Sequence, residues 1–315
     1  MSALTVSQQA VALFAGIGVA LLAATLAGYV LKVRVAQGRA HGVIDNLNAR
    51  IRSWWVIVSV VGVAFMLGRD GVTLLFVFVS LMALREFTAP LWSEGNEGLL
   101  WASFVVVPAA QYLLVRLGWF DWYSTFVPVY AFMLVPVAAA ATGNIRRFAS
   151  RTTIIQSGLM ICVFCLSHVP ALLTLSIAGY EGRNLLLIVY MIVVVQSSDV
   201  LQYVWGKLYG RRKVAPDISA SKTWEGLIGG VASATALGAA LYWITPFTPV
   251  EAAVMAFAVN TMGVLGGLAM SAIKRSRGIK DWGGLIAGHG GMLDRLDSMV
   301  FSAPVFFHLT RAGWG

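Results

Sequence analysis

The chain is built from long apolar blocks separated by short polar stretches, and that pattern leaves few folds open. A helix needs about 20 apolar residues to cross a bilayer core, and ten blocks fit that use: 10–30, 54–67, 71–84, 99–115, 126–142, 152–177, 184–204, 224–244, 250–273 and 292–309. A transmembrane barrel alternates apolar with polar residues, whereas 185–195 is one continuous apolar run. Backbone groups in lipid must be satisfied within the segment, so the runs predict helices. With 58% apolar and 12% charged residues, a free-standing soluble domain is excluded. The expected fold is all-α, a polytopic helical membrane protein with nine or ten crossings. Blocks 54–67 and 71–84 are short and flank Arg69 and Asp70, so that pair reads either as two crossings or as a re-entrant hairpin. The first block follows no basic residue and lacks a small-residue cleavage site, which predicts a retained anchor.

Placing successive loops on alternate sides sorts the charges. One side collects 19 of the 23 Lys and Arg, and the other holds only Arg69, Arg116, Arg183 and Arg311. The positive-inside rule makes the first side cytoplasmic and puts both termini outside, as ten crossings require. The net charge of +9 therefore belongs to one face, where it suits anionic headgroups or nucleotides. No separate basic domain supports nucleic-acid binding. Cys162 and Cys165 lie three apart in one apolar block with no third thiol in the chain, a packing pattern rather than a metal set.

Polar chemistry concentrates late in the chain, which divides it into an N-terminal membrane region, 1–180, and a C-terminal region with functional loops, 181–315. Asp199 follows a Gln-Ser-Ser run inside an apolar block; a carboxylate at that depth needs a wet cavity or a partner. Gln202 and Tyr203 share its helical face. In the next loop Ser219, Ser221 and Thr223 can cap a helix starting near Trp224, and its free amides with Lys222 form a site suited to phosphate. The spacings Gly226/Gly230 and Gly263/Gly267 read as close helix packing. Further on, Asp294 and Asp297 stand three apart, so both carboxylates can face one side and share a Mg²⁺. Gly290 and Gly291, beside His289, allow a close backbone approach to phosphate. Lys274, Arg275 and Lys280 add positive charge.

The run Lys274-Arg275, Lys280-Asp281, His289-Gly290-Gly291 and Asp294-Arg295-Leu296-Asp297 resembles the signature of phosphatidate cytidylyltransferases, also called CDP-diacylglycerol synthases. The similarity reaches upstream through Asp199 to Tyr203 and through 219–230. It implies a multi-span inner-membrane enzyme that joins CTP to phosphatidic acid with Mg²⁺ and releases CDP-diacylglycerol and pyrophosphate. On this resemblance Asp294 and Asp297 are metal ligands, with Asp281 and Asp199 as further ligands or supports. Lys222, Lys274, Arg275, Lys280 and Arg295 clamp phosphates, and His289 meets the triphosphate or the leaving pyrophosphate; Lys280, Asp281 and His289 form the catalytic group. Asp199, Tyr203, Ser219, Ser221, Gly290 and Gly291 belong to the substrate site. The expected partners are the two substrates and the bilayer, with a homodimer as a further expectation.

Four positions depart from the family pattern: Gly267 where Asp is usual, Ala220 and Ala287 where Pro is common, and Trp282 where Ser is common. Gly267 removes a carboxylate expected near the metal. It motivates a second reading, a catalytically weakened relative that binds phosphatidate or CDP-lipid as a sensor or partner subunit. A transporter built around Asp199 would need midplane charges in paired half-repeats, and the sequence has none.

Overall fold

The computed structural model describes residues 6–37, 39–94, 97–284 and 290–315. Helices account for nearly all of it: α1 (Val6–Arg34), α2 (Gly42–Met66), α3 (Gly68–Thr88), α4 (Glu97–Leu117), α5 (Phe120–Ala141), α6 (Phe148–Thr174), α7 (Asn184–Tyr209), α8 (Trp224–Ala240), α9 (Pro249–Ser276) and α10 (Met299–Trp314). Among the described residues, seven are long and apolar enough to cross a membrane: α1, α2, α3, α5, α6, α7 and α9. The others are apolar but shorter or interrupted. Each expected block has a helix, and the protein is a polytopic helical membrane protein. Over the second and third blocks the chain forms two helices of 25 and 21 residues, each long and apolar enough to cross a membrane. They are joined through Gly68 at φ +67°, a left-handed position that glycine adopts at no steric cost.

Local chemistry explains where the late helices start. Thr248 and Glu251 form a reciprocal capping box ahead of α9, with Pro249 at its first position, which satisfies two otherwise orphaned amides. Thr223 caps α8 by accepting from the Gly226 amide at 3.2 Å. Here the expectation for the three hydroxyls is corrected. Ser219 and Ser221 sit on a short strand, β2 (Ser219–Thr223), which pairs antiparallel with β1 (Lys213–Ala215), Lys213 facing Thr223 and Ala215 facing Ser219. The capping duty falls to Thr223 because an N-cap must be the residue adjoining the helix.

The helices α7, α8, α9 and α10 pack in sequence, α7 on α8, α8 on α9 and α9 on α10, while α3 packs on α4 and α6. The α7–α8 approach depends on missing side chains. A Cβ at Gly226 would stand 2.7 Å from the Gln202 carbonyl oxygen, and one at Gly230 would stand 2.6 Å from the Gln202 backbone nitrogen, so the packing reading of that pair holds. Gly263 likewise faces α10, where an added Cβ would stand 3.0 Å from Ser302 Oγ. Cys162 is fully buried in the apolar core.

Candidate active site

The ends of α7, α8 and α10 converge with the β1–β2 hairpin around a polar cavity of about 650 Å³. Asp199, Gln202, Tyr203 and Lys207 reach it from α7, Lys213, Ser221 and Lys222 from the hairpin, and Asp294, Arg295, Asp297 and Ser298 from the segment before α10. The i, i+3, i+4 spacing of Asp199, Gln202 and Tyr203 puts all three on the cavity side of α7. The lining carries four cations and three carboxylates, a charge balance suited to a polyphosphate with a cation.

Ser298 ties two of these carboxylates together. Its hydroxyl donates to Asp199 Oδ1 at 3.1 Å, and its backbone amide donates to Asp297 Oδ1 at 2.9 Å. Asp294 is engaged differently. Its Oδ1 accepts from Lys274 Nζ at 2.7 Å, and its Oδ2 accepts from the amides of Trp282 and Gly291 at 2.8 and 2.9 Å. Both members of the Lys274–Asp294 pair are nearly excluded from solvent, at 11% and 8% side-chain exposure, so either would be costly to leave unpaired. Asp294 therefore pins the loop after α9 to the helix it leaves.

The glycines of that loop make room for carboxylates. A Cβ at Gly290, which is at φ +80°, would meet Asp294 Oδ2 at 2.7 Å, and one at Gly291 would meet Glu86 Oε2 at 2.5 Å. Glu86, near the end of α3, accepts from the amides of Met292 and Leu293 at 2.8 Å each. It caps the single helical turn Leu293–Leu296 that carries Asp294. This residue escaped the sequence reading, although a signal exists: a carboxylate close to a helix C-terminus opposes the helix dipole and calls for a partner. Arg277 completes the bracket. Its guanidinium lies over the rings of Phe87 and Trp282, 4.3 and 5.1 Å from their centroids, and donates to the Phe87 carbonyl at 2.6 Å. The two rings stack 5.1 Å apart, which accounts for Trp282 in a position where serine is common.

The remaining expected residues that the structure describes fall outside the cavity. Arg275 donates to the carbonyls of Ile218 and Ile279 at 3.3 and 3.1 Å, joining the hairpin to the end of α9. Lys280 and Asp281 are exposed on the loop surface, and Ser219 is spent in the β1–β2 ladder. His289 and Ala287 lie outside the described residues. Gly267 lies behind two lining side chains: a Cβ there would stand 3.0 Å from Lys222 Nζ and 3.6 Å from Ser298 Oγ. The two glycines of the α9 pair thus part roles, Gly263 serving packing and Gly267 backing the site.

The cytidylyltransferase family profile matches residues 48–312. The chain belongs to the cytidylyltransferase family. An uncharacterized Escherichia coli (strain K12) protein, YnbB, is 35% identical over 294 residues, covering 92% of this chain and 95% of that protein. Phosphatidate cytidylyltransferases from Haemophilus influenzae and Pseudomonas aeruginosa are 38% and 41% identical, each over 133 residues. These matches cover 40% and 41% of this chain. The matched stretches span 46% and 49% of those two cytidylyltransferases, about half their length.

Proposed function

We propose that this member of the family transfers CMP from CTP to phosphatidic acid, giving CDP-diacylglycerol and pyrophosphate. The observation that carries the reading is the polar cavity itself, in which Asp199 and Asp297 are bridged by Ser298 and surrounded by Lys207, Lys213, Lys222 and Arg295. In the reaction a phosphate oxygen of phosphatidate attacks the α-phosphorus of CTP. The new P–O bond forms as the bond to the β-phosphate breaks, and pyrophosphate leaves with that electron pair. The attacking oxygen is already anionic, so the protein's task is placement and charge neutralisation rather than proton abstraction. Lys222 and Arg295 orient the phosphates, and Lys207 and Lys213 at the mouth draw the polyanion in.

The donor chemistry fits Mg²⁺. Among the described residues no group of three ligating side chains forms an all-protein cage. Mg²⁺ characteristically takes one or two carboxylates and fills its octahedron with water and substrate phosphate. Asp297 and Asp199 are the carboxylates available for that role, while both oxygens of Asp294 are already engaged by Lys274 and two backbone amides. When bound, the ion would offset charge on the α- and β-phosphoryl oxygens.

The reading is tested by incubating purified protein in detergent with CTP, phosphatidate and Mg²⁺ and detecting CDP-diacylglycerol; absence of product sinks it. A binding-only relative is the second reading, favoured by Gly267, and it predicts retention of phosphatidate without product. We further place the cavity on the cytoplasmic face of the inner membrane with both termini outside, because the cavity draws on the lysine-rich loops. A cysteine introduced within 207–213, in a background lacking Cys162 and Cys165, should react with an impermeant thiol reagent only after the membrane is opened. Labelling in intact spheroplasts would invert this orientation.

A further inference from the structure

Two apolar cavities lie against α7, one on each side of α2. The first, about 430 Å³, runs between α2 and α3, and the second, about 510 Å³, lies between α1 and α2. Both are lined by Trp54, Ile57 and Val61 of α2 and by Ile192 and Gln196 of α7. Helix α2 packs on α1 and α3, and its α7 side is where these spaces open. The first cavity is lined almost wholly by hydrocarbon, yet it also touches Arg295, and Arg295 lines the polar cavity too. Gln196, common to both apolar spaces, donates from Nε2 to the Arg295 carbonyl at 3.3 Å. The cationic site therefore meets the first slot at Arg295, and Gln196, which holds the Arg295 carbonyl, joins the first slot to the second.

We infer that the paired slots flanking α2 hold the two acyl chains of a phosphate-headed lipid whose headgroup sits in the polar cavity at Arg295. The inference rests on the reading of that cavity as a phosphatidate site and adds where the lipid's hydrocarbon goes. Three features select this occupant. Each slot has the volume of an ordinary ligand pocket. There are two of them, separated by one helix. The cation bordering the first slot, one residue contact from the second through Gln196, complements an anionic headgroup and gives a zwitterionic bulk lipid no equal claim.

The test uses the full-length protein. Filling the slots with Ile192→Trp and, separately, Val61→Trp should raise KM for long-chain phosphatidate by about tenfold or more, since a hydrophobic pocket discriminates on that scale. KM for CTP should stay at the wild-type value, and KM for dihexanoyl phosphatidate, whose six-carbon chains fill little of either slot, should rise far less than that for the long-chain lipid. A rise for both lipids alike, or for neither, overturns the proposal. A second measurement stands without turnover and without a variant. In vesicles of phosphatidylcholine doped with phosphatidate carrying a photoactivatable acyl chain, crosslinks should map to Trp54, Ile57 and Ile192. They should be competed by unlabelled phosphatidate and not by added phosphatidylcholine. Equal competition by the two lipids would show slots filled by bulk bilayer and overturn the inference. Absence of CDP-lipid from the wild type, with headgroup-selective crosslinking retained, would instead remove the catalytic reading and leave the slots standing.

Discussion

Two loops frame the candidate site, and they are held in opposite ways. The hairpin between α7 and α8 is secured by its neighbours in sequence. Its strands pair with each other, Thr223 caps the next helix, and Glu225 accepts from the amides of Arg211 and Arg212 at 3.0 and 3.2 Å. The loop between α9 and α10 is held, among its described residues, by contacts distant in sequence. It is pinned at Lys274, then by the Asp294 carboxylate, and from the far half of the chain by Glu86 and Phe87 on α3. A hairpin whose bonds span some ten residues is decided by its own chemistry. A loop whose amides are taken by a carboxylate over two hundred residues away is decided by packing.

That contrast can be broken at several points. The largest effect is expected at Asp297, which contributes a carboxylate to the cavity but no long-range clamp: Asp297→Asn should abolish CDP-lipid formation while leaving the unfolding temperature in detergent near the wild-type value. Wild-type rates at ordinary Mg²⁺ would remove Asp297 from the site.

Next come the two clamping carboxylates. Glu86→Ala leaves the Met292 and Leu293 amides without their acceptor. We expect it to cost about 1–3 kcal/mol of stability and to lower activity roughly 10–100-fold, the scale of lost supporting contacts around a metal-type site. Glu225→Ala removes two bonds from exposed amides that water can replace, and activity should stay within about twofold of wild type. Equal losses in the two variants would erase the distinction between the loops.

The smallest effect is expected at Gly267. A carboxylate introduced there by Gly267→Asp would point at Lys222 Nζ, 3.0 Å from the Cβ position. In the reading adopted here it adds a hard oxygen donor and lowers the Mg²⁺ concentration needed for half-maximal activity by a few-fold. The competing outcome is an ion pair with Lys222 that removes a phosphate clamp, seen as a raised KM for CTP with unchanged Mg²⁺ dependence. That result would defeat the missing-ligand argument. Because Gly267 lies behind the cavity lining rather than in the α10 packing seam, thermal stability should change little in either case.

Much of this was legible from residue order alone. Apolar blocks of crossing length dictate helices because lipid offers no partner for an unpaired backbone group, so all ten blocks appear as helices. Asp199, Gln202 and Tyr203 share a face through the 3.6-residue period, and Gly226 and Gly230 announce close packing by their spacing. These are local properties, and local sequence states them. What only the tertiary structure decided is which partner each polar group takes. Asp294 and Asp297 stand three apart and look equivalent in sequence, yet one is bound by Lys274 and two amides while the other faces the cavity beside Asp199. Gly263 and Gly267 look like one packing motif, yet one meets Ser302 and the other meets Lys222. Glu86 lies in a half of the chain that carries little of the polar pattern, and it supports the signature loop only because α3 packs where that loop begins. Spacing along a helix sets the face a side chain presents, but the charge or amide waiting there is set by the helix packed against it.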